Sequence, residues 1–441
     1  MLKRITLTSF LVFVTAICLA QGNFNLINTH QSKLRFELIN NLIVIPVEVN
    51  GVKLSFLLDS GVSKPILFNI INLSDSLQIN HVESVFLRGL GDKGSIEALK
   101  SKNNVVKIGN AINVNQEIFV VFDEGINFAP RLGVPIHGII GYDIFKDFIV
   151  EINYSSKYIK FHDPLTYIYK NCKKCQTLDL TLSQNKPYIN GTVKINSQDI
   201  PVKLLVDSGG SDALWLFEDP KRGIMPKDKK YFEDYLGMGL SGSVYGKRSK
   251  IESFSLQSFE FNDVNVAFPD STSISIAKNL KDRRGSISGE LLKRFNMIVD
   301  YPNGIITLRK NSNFKQPFHY NKSGIVLEQN GIRVVKESND RFLYNDTDNK
   351  NETNKVVIQS SYRFALKPAY TIVELRKGSP AERAGFLLGD IILTVNNKDA
   401  ANLKLQDIND LFSEEDGKLV RIKIDRDGRP FDYSFRLEKL F

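Results

Sequence analysis

The sequence predicts a mainly β protein: two similar β-rich units in tandem, then a smaller α+β segment. Three observations carry that prediction. An Asp-Ser-Gly triplet closes an apolar run twice, in FLLDSGVSKPILF (56–68) and LLVDSGGSDALWLF (204–217). Asp59 and Asp207 lie 148 residues apart, and two further motifs recur in the same order at that offset. Helical periodicity is scarce, whereas apolar or alternating runs flank hairpin signals such as Asn50-Gly51.

The chain starts with the basic stretch MLKR, the apolar run ITLTSFLVFVTAICL and a small residue, Ala20, before Gln21-Gly22. This is the layout of a signal peptide over residues 1–20, and the apolar run is short for a membrane span. Ile17 before Cys18 is larger than the residue expected at a lipidation site. The expectation is an exported protein, periplasmic or secreted, with no transmembrane segment after cleavage.

The first unit is assigned to 30–165. LIVIPVEVNGVKLSFLLD reads as a hairpin that ends at Asp59, Ser60 and Gly61. Gly89-Leu90-Gly91 follows in FLRGLGDKGS, and HGIIGYDIFKDFIVEINYSSKYIKF carries Gly141. A short helix is expected at 144–148, then a strand pair around Tyr154. The second unit, 176–310, repeats this layout. INGTVKINSQDIPVKLLVD ends at Asp207, Ser208 and Gly209; Gly237-Met238-Gly239 follows; GSISGELLKRFNMIVDYPNGIITL carries Gly289. The offset then slips by one, Phe148 matching Phe295, and the second short helix is expected at 290–296.

Between the units stands NCKKCQ, with Cys172 and Cys175. No second Cys pair or His cluster accompanies it, so a four-ligand zinc site has no ligands. A local disulfide and a pair of idle thiols both remain open. Residues 311–356 are read as a connector, polar and rich in Asn and Asp over 336–356. From 357 to 441 the order is strand, helix Pro380 to Ala384, strand, an Asn396-Asn397-Lys398 turn, helix 403–413 and a hairpin around Asp427-Gly428.

The composition suits a globular core: 42% apolar and 24% charged residues, with a formal charge of +9. No basic run with interleaved aromatics points to nucleic acid. Five histidines occur, but no Ser or Cys nucleophile motif goes with them.

A strand-terminal Asp-Ser-Gly offers a carboxylate, a hydroxyl and a glycine that permits a tight turn. If Asp59 and Asp207 meet, two carboxylates a few Å apart share one proton. One then takes a proton from a trapped water while the other protonates a carbonyl oxygen. That chemistry hydrolyses an amide without metal or cofactor.

The duplicated triplet, each followed after 80 residues by a glycine element (Ile139-Ile140-Gly141, Ile287-Ser288-Gly289), resembles the aspartic proteases. The lobes look like retropepsin-type units joined in one chain as in pepsins. GSPAERAGFLLGDIILTVNNK resembles the PDZ signature, and the whole layout is similar to bacterial exported aspartyl proteases with a C-terminal PDZ domain. The resemblance implies two pseudo-symmetric β lobes, catalytic Asp59 and Asp207 supported by Ser60, Gly61, Ser208 and Gly209, and action as a monomer on a peptide or protein substrate. It implies flap tips at Gly89, Gly91, Gly237 and Gly239. It also implies a peptide ligand for the PDZ groove, with YRFALKP (Phe364, Leu366, Lys367) leading into it. No cofactor and no metal are expected. Val62 and Gly210, after the triplets, lack the hydroxyl found there in pepsins, which predicts a dyad active up to weakly acid or neutral pH. An inactive peptide-binding or scaffold protein of the cell envelope is the alternative.

Overall fold

The computed structural model describes residues 22–70, 77–123, 125–226, 230–278, 282–338, 341–344, 356–359 and 362–440. The expected signal peptide and most of the polar stretch after 344 lie outside them. Among the described residues no helix is long and apolar enough to cross a membrane.

The chain forms two compact units. One comprises the residues up to Phe128 with Pro135–His319; the other comprises Ala129–Val134 with Tyr320–Leu440.

In the first unit the two sequence copies build a nine-stranded and an eight-stranded sheet. Strands Leu42–Val49 and Val52–Leu58 pair antiparallel around the predicted turn, where Asn50 and Gly51 take φ of 47° and 87°. Both values lie in the left-handed region that Asn and Gly tolerate. The counterpart hairpin is Lys186–Ile195 with Gln198–Asp207.

The copies are joined through a third, six-stranded sheet. Strand Ile149–Asn153 of the first copy pairs antiparallel with Phe295–Asp300 of the second, from Ile149 opposite Asp300 to Asn153 opposite Asn296. Each of these strands also pairs with the strand after it, Tyr158–His162 or Ile305–Lys310. Val150, Ile152, Met297 and Val299 are buried along this seam and belong to one core that runs through both copies. Burial of such a seam removes apolar surface at roughly 25 cal/mol per Å².

The two short helices start and stop earlier than the expected 144–148 and 290–296. They are Tyr142–Phe145 and Gly289–Leu292, each entered directly from the preceding glycine element. Phe148 is buried beside Phe161, and Phe295 already opens a strand, so burial against the sheet ends the helical turn first.

Cys172 and Cys175 are joined in a disulfide that closes a tight turn between the copies.

The second unit differs from its expected outline. Ile325–Ser338, inside the stretch read as a connector, is a strand paired antiparallel with Tyr362–Leu375. The register shifts between Gln329 and Ile332, where Gly331 takes φ 88°. That irregularity interrupts the alternation that would have marked a strand. The sheet order runs from Ile325–Ser338 through Tyr362–Leu375, Ile391–Val395 and Leu419–Arg426 to Arg429–Arg436. Helix Pro380–Ala384 has its predicted bounds: Ser379 caps it by accepting from the Glu382 N–H at 3.2 Å, Pro380 opens it, and Gly385 ends it at φ 99°. The buried Asp390 receives both Nε and Nη2 of Arg426, at 2.6 and 2.7 Å, which pins the last hairpin to the core.

Candidate active site

Asp59 follows strand Val52–Leu58. Its backbone N–H donates to Ile140 O at 2.9 Å, because Gly138–Ile140 runs parallel to Phe56–Leu58. A Cβ at Gly141 would fall 1.8 Å from Asp59 O, so only glycine lets the second element back the Asp59 loop. In the other copy Arg283–Ser288 runs parallel to the strand ending in Asp207, with Ser288 opposite Asp207. The Gly289 N–H donates to Gly210 O at 2.8 Å.

The two loops grip each other through their serines. The Ser60 N–H donates to Ser208 Oγ at 2.9 Å, and the Ser208 N–H donates to Ser60 Oγ at 3.0 Å. The Ser60 hydroxyl donates to Val206 O at 2.7 Å, and the Ser208 hydroxyl to Leu58 O at 2.8 Å. Both serines are buried, so four satisfied hydrogen bonds lock one loop to the other. The Tyr301 hydroxyl donates to Ser60 O at 3.4 Å from below.

This grip brings the aspartates together. A Cβ built on Gly61 would lie 3.2 Å from Asp59 Oδ1 and 3.4 Å from Asp207 Oδ1, so the two carboxyls flank one position. The Gly61 N–H donates to Asp59 Oδ1 at 2.7 Å and the Gly209 N–H to Asp207 Oδ1 at 3.1 Å. Each glycine also faces the opposite carboxyl: a Cβ at Gly209 would lie 2.3 Å from Asp59 Cγ, and one at Gly61 would lie 3.4 Å from Asp207 Oδ1. All six residues singled out in the triplets therefore meet at one place.

Protein surrounds both carboxyls on most sides, and each keeps some accessible surface. Burial, then repulsion by Asp207, raises the Asp59 pKa to about 7. Burial also raises that of Asp207, but Arg283, Lys186 and the N–H groups of Gly209 and Gly210 oppose the shift. Two carboxyls this close favour holding one proton between them, and Arg283, which lowers the pKa of Asp207 and not that of Asp59, favours charge on Asp207.

Sequence reading missed Lys186 and Arg283. Arg283 is buried with its Nε–H donating to Gly285 O, and Lys186 is largely enclosed. Each sits on a strand that pairs with the one carrying Asp207. Position alone was a weak signal, because most basic residues on strands point to water.

Ser288 also acquires a meaning. A Cβ at Gly210 would lie 2.8 Å from Ser288 Oγ. The missing side chain at 210 and the hydroxyl at 288 thus share one space.

The flap candidates meet as well. Phe232–Gly239 and Gly242–Leu256 form a hairpin whose tip holds Ser241, and Gly89 and Gly91 lie in the turn between Val82–Leu87 and Ile96–Ile108. The Gly89 N–H donates to Ser241 Oγ at 3.0 Å, the Ser241 N–H to Leu90 O at 2.9 Å and the Lys93 N–H to Ser241 O at 2.8 Å. A Cβ at Gly91 or Gly239 would fall 2.2 Å from the opposite tip's backbone. At Gly237 nothing lies within 4 Å of a Cβ, so it stays apart from this contact, and its φ of 154° is its own constraint. Leu90 and Trp215, the latter just beyond the second triplet, pack against the same buried cluster.

In the second unit Phe364, Leu366 and Lys367 lie on a strand, Tyr362–Leu375, but not on the strand at the sheet's edge. They pair with Lys336, Val334 and Arg333 in the outer half of Tyr362–Leu375, with Phe364 and Leu366 exposed. The sheet's edge beside helix Leu405–Leu411 belongs to Ile325–Ser338. The unrecognised strand displaced this assignment by one position in the sheet.

The chain is mainly β and carries an aspartyl protease family domain and a PDZ domain. Comparison with known families agrees: residues 45–144 match the aspartyl protease family and residues 371–426 match the PDZ domain family. No curated protein matches the chain.

Proposed function

We propose that the protein is an aspartic endopeptidase in which Asp59 and Asp207 activate a water for attack on a peptide bond. The close approach of the two carboxyls, held by reciprocal serine bonds, carries this reading. Asp207, favoured as the anion by Arg283, accepts a proton from the water. Asp59, kept protonated towards pH 7, gives its proton to the carbonyl oxygen as the water oxygen bonds to carbon. The resulting gem-diol then collapses: the C–N bond breaks, the nitrogen takes the proton held by Asp207, a gem-diol hydroxyl gives its proton to Asp59, and acid and amine leave with the pair restored. Water is the only co-reactant.

Both carboxyls come from one chain, which supports catalysis by a monomer. The signal-like residues 1–20 support export to the periplasm or medium, and a mature N-terminus at Gln21 is the expected result of N-terminal sequencing.

Cleavage of a broad peptide library, with and without pepstatin, tests the mechanism. Asp59→Asn and Asp207→Asn should each lower kcat/KM by about a thousandfold or more, the range lost with general acid–base catalysis and pair geometry. Cleavage that survives both substitutions overturns the mechanism. No cleavage by the wild-type chain favours a peptide-binding scaffold instead.

A further inference from the structure

The second unit contains a piece of chain far from the rest of it in sequence, Ala129–Val134. Its short helix Ala129–Leu132 lies against the edge strand Ile325–Ser338. Arg131 Nε is 2.8 Å from Glu328 Oε1, and Arg131 Nη2 is 3.0 Å from Glu374 Oε1. These two acids lie on neighbouring strands and outside the core that buries Ile325 and Leu327. Two residues on, the Cβ position of Gly133 is 3.0 Å from Leu405 Cβ and 3.8 Å from Gln329 Oε1. Leu405 is the first residue of helix Leu405–Leu411. The segment therefore passes from the acid pair to the helix by crossing the strand's outer edge at Gln329.

That edge is where an extended peptide adds to such a sheet, with loop amides capturing its terminal carboxylate. In the loop that leads into the edge strand, the amides of 323–325 are already engaged. Asn321 Oδ1 accepts from the Ser323 and Gly324 N–H groups at 3.0 and 3.2 Å, and Ser323 Oγ accepts from the Ile325 N–H at 3.0 Å.

We infer that residues 129–134 are an intramolecular ligand of this edge, and that the edge is built for an arginine-bearing internal segment rather than a free C-terminus. The acids Glu328 and Glu374 read the arginine, and Leu405 and Gln329 receive the small residue after it. An arginine-bearing peptide in solution competes with the strap. The inference rests on the second unit alone and does not require proteolytic activity.

Hydrogen exchange of the full chain tests it, followed over 125–136 and 325–338. Arg131→Glu should raise exchange in both stretches about three- to tenfold, the range of a partly enclosed ion-pair cluster, with the thermal midpoint of the first unit unchanged. Glu328→Lys and Glu374→Lys added to Arg131→Glu should restore protection. Millimolar acetyl-NFAPRLGVP-amide should raise exchange over 125–136 in the wild type, while the same peptide with Glu for Arg should not. Unchanged exchange in Arg131→Glu, or failure of the charge swap to restore it, overturns the strap. Displacement only by a peptide with a free carboxylate overturns the proposed ligand class.

Discussion

At the scale of single residues, the site depends on the unequal surroundings of two identical side chains. Lys186 lowers the pKa of both carboxyls, whereas Arg283 acts on Asp207 and not on Asp59. Activity should fall above about pH 7 as the shared proton is lost, and at low pH as Asp207 protonates too. Because Lys186 lowers both values, Lys186→Met raises both and should move the acid and the basic limb of the pH–rate profile upward. A profile that stays in place or moves down contradicts the placement of the Lys186 charge beside the pair. The same burial makes the dyad a cost to folding. The folded pKa of Asp59 lies above its unfolded value, so the stability it contributes is present at low pH and is lost as pH rises towards 7. Asp59→Asn should therefore stabilise the chain at pH 8, on the order of 1–3 kcal/mol, and hardly at all at pH 3. Chemical denaturation at the two pH values measures the difference.

At the scale of elements, hairpins do most of the positioning. Their turns were legible because Asn50-Gly51 and Asp427-Gly428 are residues that tolerate positive φ. Interlocked tips were not legible: Gly91 and Gly239 are ordinary turn glycines until the opposite backbone is found 2.2 Å from their missing Cβ atoms. Gly239→Val should push the tips apart and reduce peptide turnover without shifting the pH–rate profile, since the dyad is untouched. A shifted profile would show instead that the tip shapes the carboxyl pair. The strand Ile325–Ser338 escaped notice for a related reason. Its pattern breaks at Asn330-Gly331, and its pairing with Tyr362–Leu375 supplies the continuity that the sequence lacks.

At the scale of the whole molecule, the central six-stranded sheet makes one core of two copies. Strand Ile149–Asn153 has Tyr158–His162 on one side and Phe295–Asp300 on the other. A chain ending at residue 165 would leave that second edge open, with Val150 and Ile152 bare. Exposed apolar edges pair with any available strand. Residues 22–165 alone should thus self-associate on size-exclusion chromatography and show no peptide cleavage, whereas co-expression with 166–440 should recover soluble protein. A monomeric, soluble 22–165 would mean that the seam is dispensable.

The order of motifs was written in the chain. Two Asp-Ser-Gly triplets and their glycine elements recur at one spacing, and local turn chemistry marks the hairpins and the Pro380–Ala384 helix. These are properties of neighbouring residues, which sequence carries directly. Contacts between distant residues were decided only by folding: the serine exchange between Ser60 and Ser208, the cations beside Asp207, the seam between the copies and Arg131 on Glu328 and Glu374. Each depends on where separate strands come to rest, and burial and pairing across the whole chain set that position.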